Sequence, residues 1–299
     1  MALGGDGLNY SPLRYPGGKA KIAPLVELII QKSQLKDFVY IEPFAGGSGV
    51  ALSLLFDGIA KDIIINDYDK AIYSFWKSIL EETNDFITLI NNTPITIEEW
   101  RRQKEIYTTR NKKYSLELGF ATFYLNRTNR SGILSAGPIG GFDQTGNYLI
   151  DARFNKEKMT NKILKISKYK NHIKCYNKDI LSFINNYIPS FGDNSFVYFD
   201  PPYFNKGKEL YKNFFNPEHH QKIADEIINN VNCNWIVTYD DVNQIRDIYN
   251  NFTLRKFDLN YSVANGGKGS EIIIFSNPNI CPDTREIIEA NVKYTLRME

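Results

Sequence analysis

The sequence predicts an α/β protein in which strand–helix alternation is broken by a long helical segment and then resumes. Three observations carry that prediction. Short apolar runs of strand length, such as Asp62–Asn66, Ser195–Phe199 and Trp235–Thr238, alternate with helical patterns. A glycine-rich turn, Gly46-Gly47-Ser48-Gly49, separates the first strand from the first helix of a crossover. Between residues 74 and 165 the strand patterns stop and helical ones take over.

Residues 1–11 read as a loose leader. The turn-rich stretch Pro12-Leu13-Arg14-Tyr15-Pro16-Gly17-Gly18-Lys19 then feeds a helix near Ala23–Lys32. Its glycines let backbone approach a ligand closely, and Lys19 can pair with a carboxylate. Tyr15 can cover an apolar or cationic group; a plain turn is the alternative. Phe38–Pro43 is a strand and Val50–Phe56 a helix. The glycine spacing between them is neither G-x-G-x-x-G nor a P-loop, which disfavours a standard dinucleotide enzyme and an NTPase. The strand Asp62–Asn66 ends at Asp67, about 20 residues past the glycines, where such folds hold ribose hydroxyls. Capping the helix Lys70–Leu80 is the competing role for Asp67 or Asp69.

Helical patterns over Ile97–Arg110 and Leu116–Asn126 follow, then an irregular stretch from Asn126-Arg127-Thr128-Asn129-Arg130-Ser131-Gly132 through Gly137–Tyr148. Residues 76–170 hold 16 Lys and Arg against 10 Asp and Glu, a net of +6 within a chain of formal charge +2. A basic segment in a slightly acidic frame suits a polyanion, although a solvated helical surface would look the same. Residues 74–165 therefore read as an inserted recognition domain, with 1–73 and 166–299 forming the domain it interrupts. Beyond it come a strand at His172–Tyr176, helices at Lys178–Tyr187, His219–Asn230 and Asp241–Tyr249, and a closing hairpin. The hairpin pairs Leu254–Tyr261 with Glu271–Ser276 across a flexible loop, Ala264–Ser270.

The strand Ser195–Phe199 runs into Asp200-Pro201-Pro202-Tyr203. Two prolines stop the strand and leave a carboxylate, a rigid carbonyl and an aromatic ring at its carboxyl end, where open α/β sheets bind ligands. Such a set suits methylation of an exocyclic amino group. That nitrogen's lone pair is delocalised, and acceptors at Asp200 and Pro201 would favour its pyramidal, nucleophilic form. Tyr203 would stack on the base. An aspartate capping an ordinary proline turn is the bland alternative.

At 299 residues, with 42% hydrophobic and 23% charged residues, the composition is that of a soluble protein. No apolar run is long enough to span a membrane, and the start is not a signal peptide. Cys175, Cys233 and Cys281 are isolated, which indicates neither a disulfide framework nor a metal site and suggests a reducing, cytoplasmic setting.

Taken in order, Tyr15–Lys19, Glu42-Pro43-Phe44-Ala45-Gly46-Gly47-Ser48-Gly49, Asp67, the Asn126-Arg127-Thr128 segment and Asp200–Tyr203 resemble the Dam-like (D12, alpha-group) DNA adenine-N6 methyltransferases. The resemblance implies a Rossmann-like S-adenosylmethionine-dependent methyltransferase sheet with a reversed final hairpin, interrupted by a mainly helical target-recognition domain. It implies that Tyr15, Gly18 and Lys19 contact the cofactor's methionine part, that Asp67 takes its ribose, and that Glu42, Phe44, Gly46 and Gly47 shape its pocket. Asp200 would lie where cofactor and flipped adenine meet, with Pro201, Pro202 and Tyr203 beside it. Asn126, Arg127, Arg130, Ser131 and Ser135 would face double-stranded DNA, and a cognate restriction endonuclease would be a partner. No metal is implied. The sequence departs from the GATC-methylating branch at Arg130, Ser131 and Ser135, so that target is not implied. The alternatives are a cytosine-N4 methyltransferase, whose motif usually begins with Ser, and a catalytically silent nucleic-acid-binding partner.

Overall fold

The structure is a computed structural model that describes residues 10–14, 19–110, 112–204, 215–260, 268–293 and 296–297. Seven strands make one sheet: β1 (Val39–Glu42), β2 (Asp62–Asn66), β3 (Ile173–Tyr176), β4 (Ser195–Phe199), β5 (Asn234–Asp240), β6 (Thr253–Asn260) and β7 (Lys268–Phe275). Their order is β3-β2-β1-β4-β5-β7-β6. The first five are parallel, and β7 runs antiparallel between β5 and β6. The chain winds outward from β1 to β3 and then returns to β4 on the other side. The switch point therefore lies between β1 and β4, and their carboxyl ends open onto a natural ligand crevice.

Alternation along the strands sorts side chains to two faces. Tyr40, Ile63, Phe196 and Ile236 face α1 (Ala23–Ser33), α2 (Gly49–Phe56) and α3 (Lys70–Glu81). Ile41, Ile64, Val197 and Val237 face three other helices. These are α8 (Ile180–Asn186), α9 (Pro217–Asn230) and α10 (Asn243–Ile248). Burial on both faces explains why the central strands read as unbroken apolar runs. A short helix, α11 (Thr284–Glu289), follows the last strand.

The helical layer comprises α4 (Thr83–Asn92), α5 (Ile97–Thr109), α6 (Leu116–Thr128) and α7 (Lys156–Lys168). Each of the last three starts where a side chain accepts an otherwise unpaired backbone N–H: Thr96 from Glu99, Ser115 from Leu118 and Asn155 from Lys158. The layer grips α3 closely, since a Cβ on Gly119 would meet Ser74 O and Ser78 Oγ at 2.6 Å. Phe75 of α3 packs into a cluster with Phe86, Phe120 and Phe123, and these residues belong to the same buried core as one sheet face. α3 runs unbroken through residue 74.

Several elements extend past their expected ends, two of them near the site. α6 continues through Arg127 and Thr128. β7 begins at Lys268, inside the stretch expected to be a flexible loop, because pairing with β6 (Asn260 opposite Lys268) gives that backbone partners which composition cannot reveal. Residues 261–267 lie outside the described residues.

Candidate active site

At the carboxyl end of β1 the chain makes a tight turn in which Gly46 and Ser48 are left-handed, both at φ +45°. The turn is tied to β2. Gly46 N–H donates to Asp67 Oδ2 at 2.9 Å, and Ala45 N–H donates to Asn66 O at 2.8 Å. The Gly46 carbonyl accepts from Trp76 Nε1 at 2.9 Å. Asp69 caps α3 through Ala71 N–H, whereas Asp67 braces the glycine turn and accepts from Asp69 N–H at 2.9 Å. Asp67 is half-buried; loss of water, with the Asp69 charge adding to it, pushes its carboxyl up to about 7. Glu42 is buried and accepts from Ala51 N–H at 2.9 Å in the first turn of α2. Burial pushes it up to about 8, against the hydrogen bonds from Ala51 and Tyr40. Gly47 is buried, and Phe44 is half-buried with its ring against Phe215.

Asp200 emerges from β4 beside this turn, because β1 and β4 are paired neighbours. Its Oδ1 accepts from Thr238 Oγ1 at 2.8 Å and forms an ion pair with the Lys19 ammonium at 3.0 Å. Lys19 also donates to Glu271 Oε2 at 2.9 Å and to Tyr203 OH at 2.7 Å. The Tyr203 hydroxyl in turn donates to Glu271 Oε1. Burial alone would pull Lys19 down, but the Asp200 and Glu271 carboxylates more than reverse it and hold the ammonium charged. Pro201 is buried and Pro202 half-buried.

Tyr203, expected to stack on a base, is 8% exposed and held by its hydroxyl in this polar cluster, with Lys19 Nζ 5.1 Å from its ring centre. A phenol with two charged partners in reach is drawn inward. Tyr15 and Gly18 lie outside the described residues.

The residues expected at DNA separate into two groups. Asn126 is 1% exposed and points inward, which corrects the expectation that it faces DNA. Its amide accepts from Arg14 N–H at 2.6 Å and donates to the carbonyls of Arg14 and Gly132 at 2.7 and 2.9 Å. Gly132, at φ +75°, has no room for a Cβ, which would lie 2.6 Å from Arg14 O. Arg127 is half-buried; loss of water and the charges of Arg14 and Arg153 hold it down at about 10. Arg130, Ser131 and Ser135 are exposed.

The family model for D12 class N6 adenine-specific DNA methyltransferases matches residues 15–263. The chain belongs to that family. Among curated relatives, the type II methyltransferase M.MjaIII of Methanocaldococcus jannaschii is 28% identical over 204 residues, covering 64% of this chain and 68% of that one. The type II methyltransferase M1.LlaDCHI of Lactococcus lactis subsp. cremoris is 23% identical over 210 residues, 66% of each chain. An rRNA methyltransferase of Streptomyces viridochromogenes is similar across 96% of this chain and 94% of its own, at 14% identity and a TM-score of 0.39, a likeness too distant to add to the strand order.

In this methyltransferase, Glu271 and Thr238 complete the Asp200–Lys19 cluster although the sequence did not single them out. Their one signal was an acid opening the apolar run Glu271-Ile272-Ile273-Ile274-Phe275, and a threonine closing another. Among the described residues, no group of three or more His, Cys, Asp or Glu could hold a metal ion, and no helix is long and apolar enough to cross a membrane.

Proposed function

We propose that the methyltransferase transfers the methyl group of S-adenosylmethionine to N6 of an adenine extruded from duplex DNA at a specific sequence. The observation that carries this reading is the state of Asp200. Lys19 and Thr238 occupy Oδ1 and fix the carboxylate's orientation, while Oδ2 has no hydrogen-bond partner among the described residues. Oδ2 and the Pro201 carbonyl can then accept from an exocyclic NH2 and stabilise the positive charge that grows on it. Holding the two reactants side by side supplies much of the remaining rate.

The residues present fit the donor. A turn with backbone in close reach, a carboxylate on the next strand for a ribose diol, and a cluster carrying net negative charge suit a nucleoside with a sulfonium. Asp67 would hold the ribose, and Glu42, Phe44, Gly46 and Gly47 would shape the surrounding pocket. When bound, S-adenosylmethionine supplies an electrophilic methyl carbon; its C–S electron pair stays on sulfur in S-adenosylhomocysteine, and N6 gives up one proton to solvent. Residues 74–165 would carry target recognition, with Arg127 and Arg130 toward DNA. Both relatives are named type II methyltransferases, so a cognate restriction endonuclease in the same cytoplasm is the partner this reading implies. Digesting product DNA to nucleosides and weighing them tests the reaction; N4-methylcytosine, or no methylated base, would sink it.

Donor affinity should rise with pH. Ribose hydroxyls donate to the ionised form of Asp67, whose free carboxyl sits at about 7, so the proton must leave for the donor to bind. Calorimetry should show about a tenfold gain from pH 6 to pH 8, flattened in Asp67→Asn. A wild-type profile as flat as the variant's would remove the ribose role.

Arg130 is exposed in the short turn that follows α6 and would fill the gap left by an extruded base. Arg130→Ala should weaken DNA binding about tenfold while leaving donor affinity unchanged, on the scale of one lost charged contact. An unaltered methylation rate on DNA would count against it.

A further inference from the structure

The cation that bridges Asp200 is itself neutralised from behind, by a residue on the last strand of the sheet. We propose that Glu271 is a positioning residue which, by claiming Lys19, leaves the charge of Asp200 available to a cationic methyl donor. The inference rests on the methyl-transfer reading above.

Lys19 Nζ lies 2.9 Å from Glu271 Oε2 and 3.0 Å from Asp200 Oδ1, so distance does not choose between them. Burial does. The Glu271 side chain is 1% exposed and that of Asp200 is 20% exposed. Water screens the second pair more than the first, and Lys19 donates a hydrogen bond to Glu271 while meeting Asp200 as an ion pair alone. The Tyr203 hydroxyl, bonded to both Glu271 and Lys19, fixes the ammonium on that side. A lone Lys19–Asp200 pair would be neutral and would need no second acid. Burying an extra carboxylate is costly, and here Lys19 and the Tyr203 hydroxyl offset that cost. With it, the three groups carry a net charge of −1 against a donor whose reacting centre carries +1. Asp200 can then face the amino group while Lys19 stays where it is.

The test compares a sulfonium with its neutral thioether. Calorimetry on the full chain without DNA gives the ratio of S-adenosylmethionine to S-adenosylhomocysteine affinity, and anything that affects both ligands alike cancels. Glu271→Gln keeps the shape and removes the charge; the ratio should fall at least about fivefold toward the thioether. Lys19→Met combined with Glu271→Gln restores the net charge and should restore the ratio, even where both ligands bind more weakly. Lys19→Met alone should raise the ratio at least about twofold, and this holds the test open if the glutamine variant fails to fold. A ratio in Glu271→Gln within twofold of wild type, or no recovery in the double variant, overturns the proposal. Wild type that binds neither nucleoside would end the methyl-transfer reading and this inference together. Wild type that binds both and makes N6-methyladenine, beside an unchanged ratio in Glu271→Gln, would end only the role of Glu271.

Discussion

Asp200→Ala should slow single-turnover methylation by a hundredfold to a thousandfold, about 2.7–4 kcal/mol of transition-state stabilisation, with donor and DNA both saturating. The size follows from the role proposed for the side chain. Its carboxylate is oriented before substrate arrives by Thr238 at 2.8 Å and Lys19 at 3.0 Å. No reorganisation is needed as charge builds on N6, and a preorganised charge in a partly desolvated site acts far more strongly than one in water. The larger loss should appear in the rate, because the contact with the amino group strengthens as the nitrogen becomes cationic, with a smaller loss of donor affinity from the missing negative charge. Asp200→Asn, which keeps the volume and one acceptor, should fall between. Turnover within tenfold of wild type in the alanine variant would remove Asp200 from the chemistry.

Asn126→Ala should cost about 3 kcal/mol of folding free energy, read from urea or guanidinium unfolding, because it strands buried backbone groups worth roughly 1–3 kcal/mol each. The amide serves Arg14 N–H, Arg14 O and Gly132 O at a position 1% exposed, where water cannot step in. These bonds clamp the segment just before Lys19 to the end of α6, so donor affinity should fall as well. Ser131→Ala and Ser135→Ala, at exposed positions, should change stability by less than about 0.5 kcal/mol. A loss below about 1 kcal/mol in Asn126→Ala would mean the clamp is not what orders this junction.

The contrast between Asn126 and Arg130 shows what the sequence could and could not convey. Both belong to one polar segment, and composition marks both as candidates for DNA. The packing of α6 turns Asn126 inward, whereas Arg130 lies beyond the helix in the short turn Arg130–Gly132 and is exposed. The sheet was legible because burial on both faces writes itself as apolar runs, and the glycine turn was legible because left-handed backbone selects for residues such as Gly46. Asp67 and Asp69 were both visible as acids, yet which one capped α3 depended on where the helix began. Glu271 was the hardest to see. Its partners lie 252 and 68 positions earlier in the chain, and only the strand order brings them together.

The reversed direction of β7 has a consequence for how the protein is made. Running against β5, it sets Glu271 opposite Asp240, at the edge where the parallel strands finish. A ribosome releases the chain from its amino end, so Lys19, the helical layer and Asp200 all emerge well before Glu271 does. Until the seventh strand is in place, Lys19 lacks its buried partner Glu271, and the cluster lacks its second acid.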